Sequence, residues 1–147
     1  MKKTIAMFLC VICFLSLNAC DFNAPLRNKM LDYYRQDDNY VQLQGRIKTI
    51  EYLKDIDELR VEIEIMDENH QFPYIGADRC GKFAIVNWSS YGFVLKEKDD
   101  IVFTSAPLYF YNGHIWPVVA IESDGEEYLP FSAGKDNYLN WIQKTFK

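Results

Sequence analysis

Leu59, Val61, Ile63 and Ile65 alternate without a break against Arg60, Glu62 and Glu64. Side chains of an extended chain point to opposite faces with a period of two, so this pattern makes a strand with one apolar and one wet face. Such a strand is not stable alone. Its apolar face has to be covered by a second layer or by the curved interior of a barrel.

The segment before it is a longer strand that does not keep one phase. From Tyr40 to Tyr52, Val41, Leu43 and Ile47 alternate with Gln42, Gln44, Arg46 and Lys48, but past Ile47 the apolar positions become Ile50 and Tyr52. A slip by one residue predicts a bulge or sharp bend, and Gly45 sits near it. Asp55-Ile56-Asp57-Glu58 turns the chain into the alternating strand. Residues 67–81 are polar, hold Pro73, Gly76 and Gly81, and read as a loop. Lys82 to Trp88 predicts a third strand, Ile101 to Ala106 a fourth and Ile115 to Ile121 a fifth. Glu126 to Phe131 follows the hairpin signal Asp124-Gly125 as a sixth. Helices are expected at both ends. Leu26, Met30 and Tyr33/Tyr34 fall at helical spacing up to about Gln36, with Asn23 as cap and Pro25 in the first turn. Lys135 to Phe146 places Leu139, Ile142 and Phe146 on one face, broadened by Tyr138 and Trp141.

Five to six short strands, the first long and bent, predict a mainly β fold: a small barrel with flanking N- and C-terminal helices. This order of a bent first strand, a hairpin, a connection after strand three and a final hairpin resembles the OB-fold, a five-stranded Greek-key barrel. The resemblance covers roughly residues 40–131, and Lys98-Asp99-Asp100-Ile101-Val102-Phe103 is similar to the turn into the fourth strand of such barrels. An SH3-like barrel is the alternative that the strand pattern leaves open.

The first residues have a different character. Lys2 and Lys3 precede a mainly apolar run from Ile5 to Leu17, the layout of a secretory signal. The run is shorter than the roughly 20 apolar residues a spanning helix needs. It ends at Leu17-Asn18-Ala19-Cys20, which resembles the bacterial lipobox. The resemblance implies cleavage before Cys20, attachment of diacylglycerol and fatty acid such as palmitate to that cysteine, and a domain held on the extracytoplasmic side of a cell membrane. Ordinary cleavage after Ala19 and release is the competing reading. Leu17 counts against it, because that cleavage favours small residues at both flanking positions. The expected partition is residues 1–19 as signal peptide, 20–39 as lipidated cysteine, tether and short helix, 40–131 as the barrel, and 132–147 as a C-terminal helix packed on it.

The chain has 16 basic and 21 acidic residues, and the signal segment holds two of the basic ones, Lys2 and Lys3. An acidic domain repels phosphate backbones unless a local basic patch overrides the sum. The exposed side of the second strand, Arg60, Glu62 and Glu64, offers no aromatic for base stacking. Nucleic acid is therefore not expected as a ligand. Glu62 and Glu64 lie about 7 Å apart at strand rise. That spacing suits acid–base chemistry, but cross-strand pairing with Arg46 and Lys48 is the simpler reading.

Cys10 and Cys13 belong to the signal segment and Cys20 to the anchor, which leaves Cys80 without a disulfide partner. A buried free cysteine acting as a small hydrophobe is the commoner case. His70 and His114 lie far apart, with no companion cysteine pair, so neither a metal nor a cofactor is expected. No glycine-rich phosphate loop or nucleophile elbow occurs. The most unusual surface candidate is the aromatic run Leu108 to Trp116 between strands four and five. Tyr109, Tyr111, His114 and Trp116 are the candidate binding residues there; packing of alternate members on the core is the competing reading.

The sequence thus points to a membrane-anchored lipoprotein that serves as a non-enzymatic binding module for a protein or glycan partner. The alternative is a cell-envelope hydrolase, which would need a polar cleft near Glu62, His114 or Cys80.

Overall fold

The long first strand, β1 (Val41–Leu53), serves two neighbours. Its outer part pairs antiparallel with β2 (Glu58–Ile65), and its beginning with β4 (Asp100–Ser105). One strand can do both because it bends. The register to β2 slips between Ile47 and Thr49, where the apolar phase changes in the sequence, and Lys48 is the extra residue. Gly45 lies where both partners crowd the backbone: a Cβ there would come 2.4 Å from Ile63 Cγ2 and 2.9 Å from Phe103 Cε1. The structure is a computed structural model, and it describes residues 23–108 and 114–147.

β3 (Cys80–Val86) continues antiparallel from β2, and β5 (Ile115–Ser123) from β4. β3 and β5 then meet in parallel at Lys82–Ile115, Phe83–Trp116 and Ala84–Pro117. The order β1-β2-β3-β5-β4 closes on itself, and β6 (Glu126–Leu129) adds a strand beside β5. A helix lies at each end of the chain, α1 (Ala24–Tyr34) and α2 (Phe131–Thr145). The fold is a closed five-stranded, OB-like barrel with one additional strand and two flanking helices.

There are two cores. Ile47, Ile63, Ile65, Phe83, Phe103 and Trp116 are among the side chains that fill the barrel. Met30, Leu31 and Tyr34 of α1 and Tyr138 and Ile142 of α2 form a second cluster over Val86, Ala106 and Val119 on the barrel's outside. Each large apolar side chain buried in this way contributes about 1.5–3 kcal/mol. α2 lies directly on β5, where a Cβ on Gly134 would meet the Val119 carbonyl oxygen.

Several boundaries differ from the sequence expectation. The last helix starts at Phe131 rather than Lys135, and β6 stops at Leu129 rather than Phe131. Extended Pro130 is the cap residue of α2, and its carbonyl accepts the Gly134 amide at 2.9 Å. Glycine lowers helix propensity by about 1 kcal/mol relative to alanine, but the small size of Gly134 is what lets the helix approach the strand. β3 begins at Cys80 rather than Lys82 and ends at Val86, because Asn87 turns the chain through a left-handed conformation (φ 51°) into the short turn Trp88–Ser90. α1 ends at Tyr34, short of Gln36. Asn23 stands at the cap position of α1 without a side-chain capping bond; its amide donates instead to the Lys147 carbonyl at 3.0 Å.

Candidate functional site

The β2–β3 loop meets the chain around the start of β5 twice. Below the surface, Phe72 is buried and its ring stands edge-on to Trp116, with centroids 5.4 Å apart. Trp116 also packs on Phe83, and its indole N–H donates to the Pro107 carbonyl at 3.2 Å. Two residues beyond Phe72 and two before Trp116, the same chain segments meet again at Tyr74 and His114. These rings stack 4.3 Å apart and within 3° of parallel. Tyr74 is 71 % exposed and His114 is exposed as well. Both residues are in the left-handed backbone region, with φ of 64° and 49°. Non-glycine residues reach that region at a cost of order 1–2 kcal/mol. Backbone strain of this kind tends to cluster at ligand clamps and functional sites.

This arrangement divides the candidates from the 108–116 segment. His114 is on the surface. Trp116 is a correction: it is 2 % exposed and belongs to the barrel core. β5 is covered on one side by the barrel and on the other by α2, so its apolar run carries no period from which to read the phase. Tyr109 and Tyr111 lie outside the described residues. Tyr74 is the residue that the sequence reading missed. Its signal was an aromatic between Pro73 and Gly76, two residues after Phe72, in a largely polar loop. Two residues before Phe72, His70 places its Nδ1 away from solvent and without a hydrogen-bond partner.

The outer face of β2 has the predicted phase, with Leu59, Val61, Ile63 and Ile65 buried and Arg60, Glu62 and Glu64 half-buried. It is a charge-paired face. Lys48 Nζ lies 3.1 Å from Glu64 Oε2, and Arg60 Nε donates to the buried Glu58 carboxylate at 2.8 Å. Arg46, expected to face Glu62 or Glu64, instead turns to Asp100 on β4 at 2.7 Å. A groove of about 270 Å³ runs between these strands, lined by Thr49, Glu51, Arg60, Glu62, Lys82 and Ile115, so both signs of charge meet in it.

Cys80 starts β3, opposite Glu64. Its thiol donates to the Asp78 carbonyl at 3.4 Å. Partial burial, then the negative charges of Asp78, Glu62 and Glu64, push its pKa up, which disfavours the thiolate that a nucleophile needs. Asp57 makes a different constellation. Its carboxylate accepts from Tyr52 Oη and the Ser89 amide, each at 2.9 Å, and from Ser89 Oγ. These bonds clamp the β1–β2 turn to the segment after β3.

Among the described residues, no three His, Cys, Asp or Glu side chains are grouped to hold a metal ion. No helix among them is long and apolar enough to cross a membrane. Comparison with known proteins finds no matching family model, no matching curated protein and no matching solved structure.

Proposed function

We propose that the chain is an exported lipoprotein, anchored through lipid on Cys20, whose barrel presents a non-enzymatic binding surface around Tyr74 and His114. The observation that carries the binding reading is the stacked, exposed Tyr74–His114 pair, held in left-handed backbone two residues from the buried rings of Phe72 and Trp116. Aromatic rings stacked against each other give large contact area at little entropy cost, which suits a protein or glycan partner. The pKa shift of Cys80 counts against thiol catalysis, and the acidic balance of 16 basic to 21 acidic residues counts against nucleic acid.

Support for the anchor is the lipobox-like Leu17-Asn18-Ala19-Cys20 after a short apolar run. One acyl chain binds a membrane reversibly, whereas two or three hold firmly at about 0.8 kcal/mol per buried methylene. Feeding cells a clickable fatty acid tests it: the wild-type protein takes up label and Cys20→Ser does not. Affinity capture from solubilised membranes tests the binding reading. A partner retained equally by wild type and by the Tyr74→Ala/His114→Ala double variant would remove this site from consideration.

A further inference from the structure

The two ends of the helical layer are tied together. Asn23 Nδ2 donates to the Lys147 carbonyl at 3.0 Å, and Arg27 Nη1 to the Phe146 carbonyl at 2.8 Å. The first turn of α1 and the residues at the end of α2 therefore lie together, and this end of the helical layer is rich in basic residues: Arg27, Lys29, Lys144 and Lys147. The three lysines are exposed and enter no ion pair among the described residues. The acidic residues near this end are fewer: Asp21 follows Cys20, Asp32 neighbours Lys29 one turn on in α1, and Asp136 is about 12 Å back along α2 from Lys144.

This concentration runs against the rest of the molecule. Of 16 basic residues, Lys2 and Lys3 belong to the signal segment and four lie here, which leaves ten to set against 21 acidic ones. The anchor lies at the same end. Cys20 precedes Asn23 by three residues, and three residues of extended chain reach at most about 11 Å. A lipid on Cys20 would hold Asn23 within about 11 Å of the headgroups, comparable to the Debye length of roughly 8 Å at physiological salt, with the end that carries these cations beside it.

Resting on the lipidation reading above, we propose that the end of the helical layer that carries Arg27, Lys29, Lys144 and Lys147 docks on the anionic phospholipid headgroups of the membrane that holds the anchor. Docking fixes an orientation. The last residue of α1, Tyr34, donates its hydroxyl to the Leu108 carbonyl at 2.7 Å, at the start of the β4–β5 loop. The 11 residues of α1 span about 16 Å. The helix therefore separates the docked end from that loop, while the acidic barrel is repelled by the same lipid.

The test uses the mature lipidated protein in vesicles of phosphatidylcholine alone or mixed equally with phosphatidylglycerol, read by amide hydrogen exchange. Amides in the first turn of α1 lack intrahelical partners and report directly on cover from outside. Each lysine near an anionic surface shifts the docked population about fivefold. Exchange at the first turn of α1 and the last turn of α2 is expected to slow in the phosphatidylglycerol vesicles only. High salt, or the triple variant Lys29→Glu/Lys144→Glu/Lys147→Glu, should restore the faster rate while the lipid mass is retained. Equal exchange in both vesicles, or a triple variant that behaves as wild type, overturns the docking and leaves the anchor standing. A mature protein without lipid mass overturns the anchor, and the orientation with it.

Discussion

Tyr74 and His114 lie face to face, 4.3 Å apart and within 3° of parallel, although 39 residues separate them in the chain. Each is the outer neighbour of a buried ring, Phe72 on one segment and Trp116 on the other. The surface pair repeats, one level up, a contact already made in the core.

The first prediction concerns the tension between ring and backbone at Tyr74. The stack contributes about 0.5–1.5 kcal/mol, and the left-handed φ of 64° opposes it. Tyr74→Gly loses the ring and releases the strain, whereas Tyr74→Ala loses the ring and keeps it. Tyr74→Gly is expected to be the more stable of the two by about 1 kcal/mol in urea unfolding. Partner capture should fall equally in both.

The second concerns acid. Burial raises the Asp57 pKa, but the bonds from Ser89 and then Tyr52 outweigh it, and the net shift is downward from 3.8. A depressed carboxylate contributes stability that is complete above its unfolded value and is lost as pH falls through its folded value. Asn tolerates the left-handed backbone of Asp57, so Asp57→Asn isolates the charge. The variant should be less stable than wild type by about 1–2 kcal/mol at neutral pH, since the group is partly exposed. That difference should shrink as pH drops below 3.8, as read from denaturant midpoints across the range.

The third concerns the seat of α2. Replacing Gly134 by Ala raises intrinsic helix propensity by about 1 kcal/mol. The new Cβ would collide with the Val119 carbonyl oxygen, which is backbone and cannot swing aside. Overpacking of this kind costs about 1–3 kcal/mol. Gly134→Ala is expected to lower the thermal midpoint and to speed amide exchange in α2.

The fourth concerns Cys80. With burial, Asp78, Glu62 and Glu64 all raising the thiol pKa, alkylation by iodoacetamide should follow a pH midpoint above the ordinary thiol value of 9.0. Glu62→Gln/Glu64→Gln should move that midpoint down and quicken the reaction at a given pH. A wild-type midpoint at or below the ordinary value would contradict the described surroundings.

What the sequence reveals here depends on whether an element has one covered face or two. β2 has one, and its alternation gives phase and partner face correctly. β1 has one that changes side, and the slip past Ile47 appears as the bulge between Ile47 and Thr49. β5 has two, under α2 and inside the barrel, so Trp116 and its neighbours are apolar regardless of direction. Tyr74 sits in a loop without any period, and only the fold brings it to His114. The Asp57–Ser89 clamp joins residues 32 positions apart, a pairing that no local spacing encodes.

Among the described residues the join between β3 and β5 has three register pairs, and one of them includes Pro117, which has no amide hydrogen to give. The β1–β2 join has eight. The tube is therefore cinched from inside, by the Phe83 and Trp116 rings packed 5.7 Å apart, more than it is stitched along its edge. When the domain breathes, the slit is expected to open along this line, at the strand that His114 leads into. The stacking of the exposed rings and the integrity of the tube are thus one mechanical property.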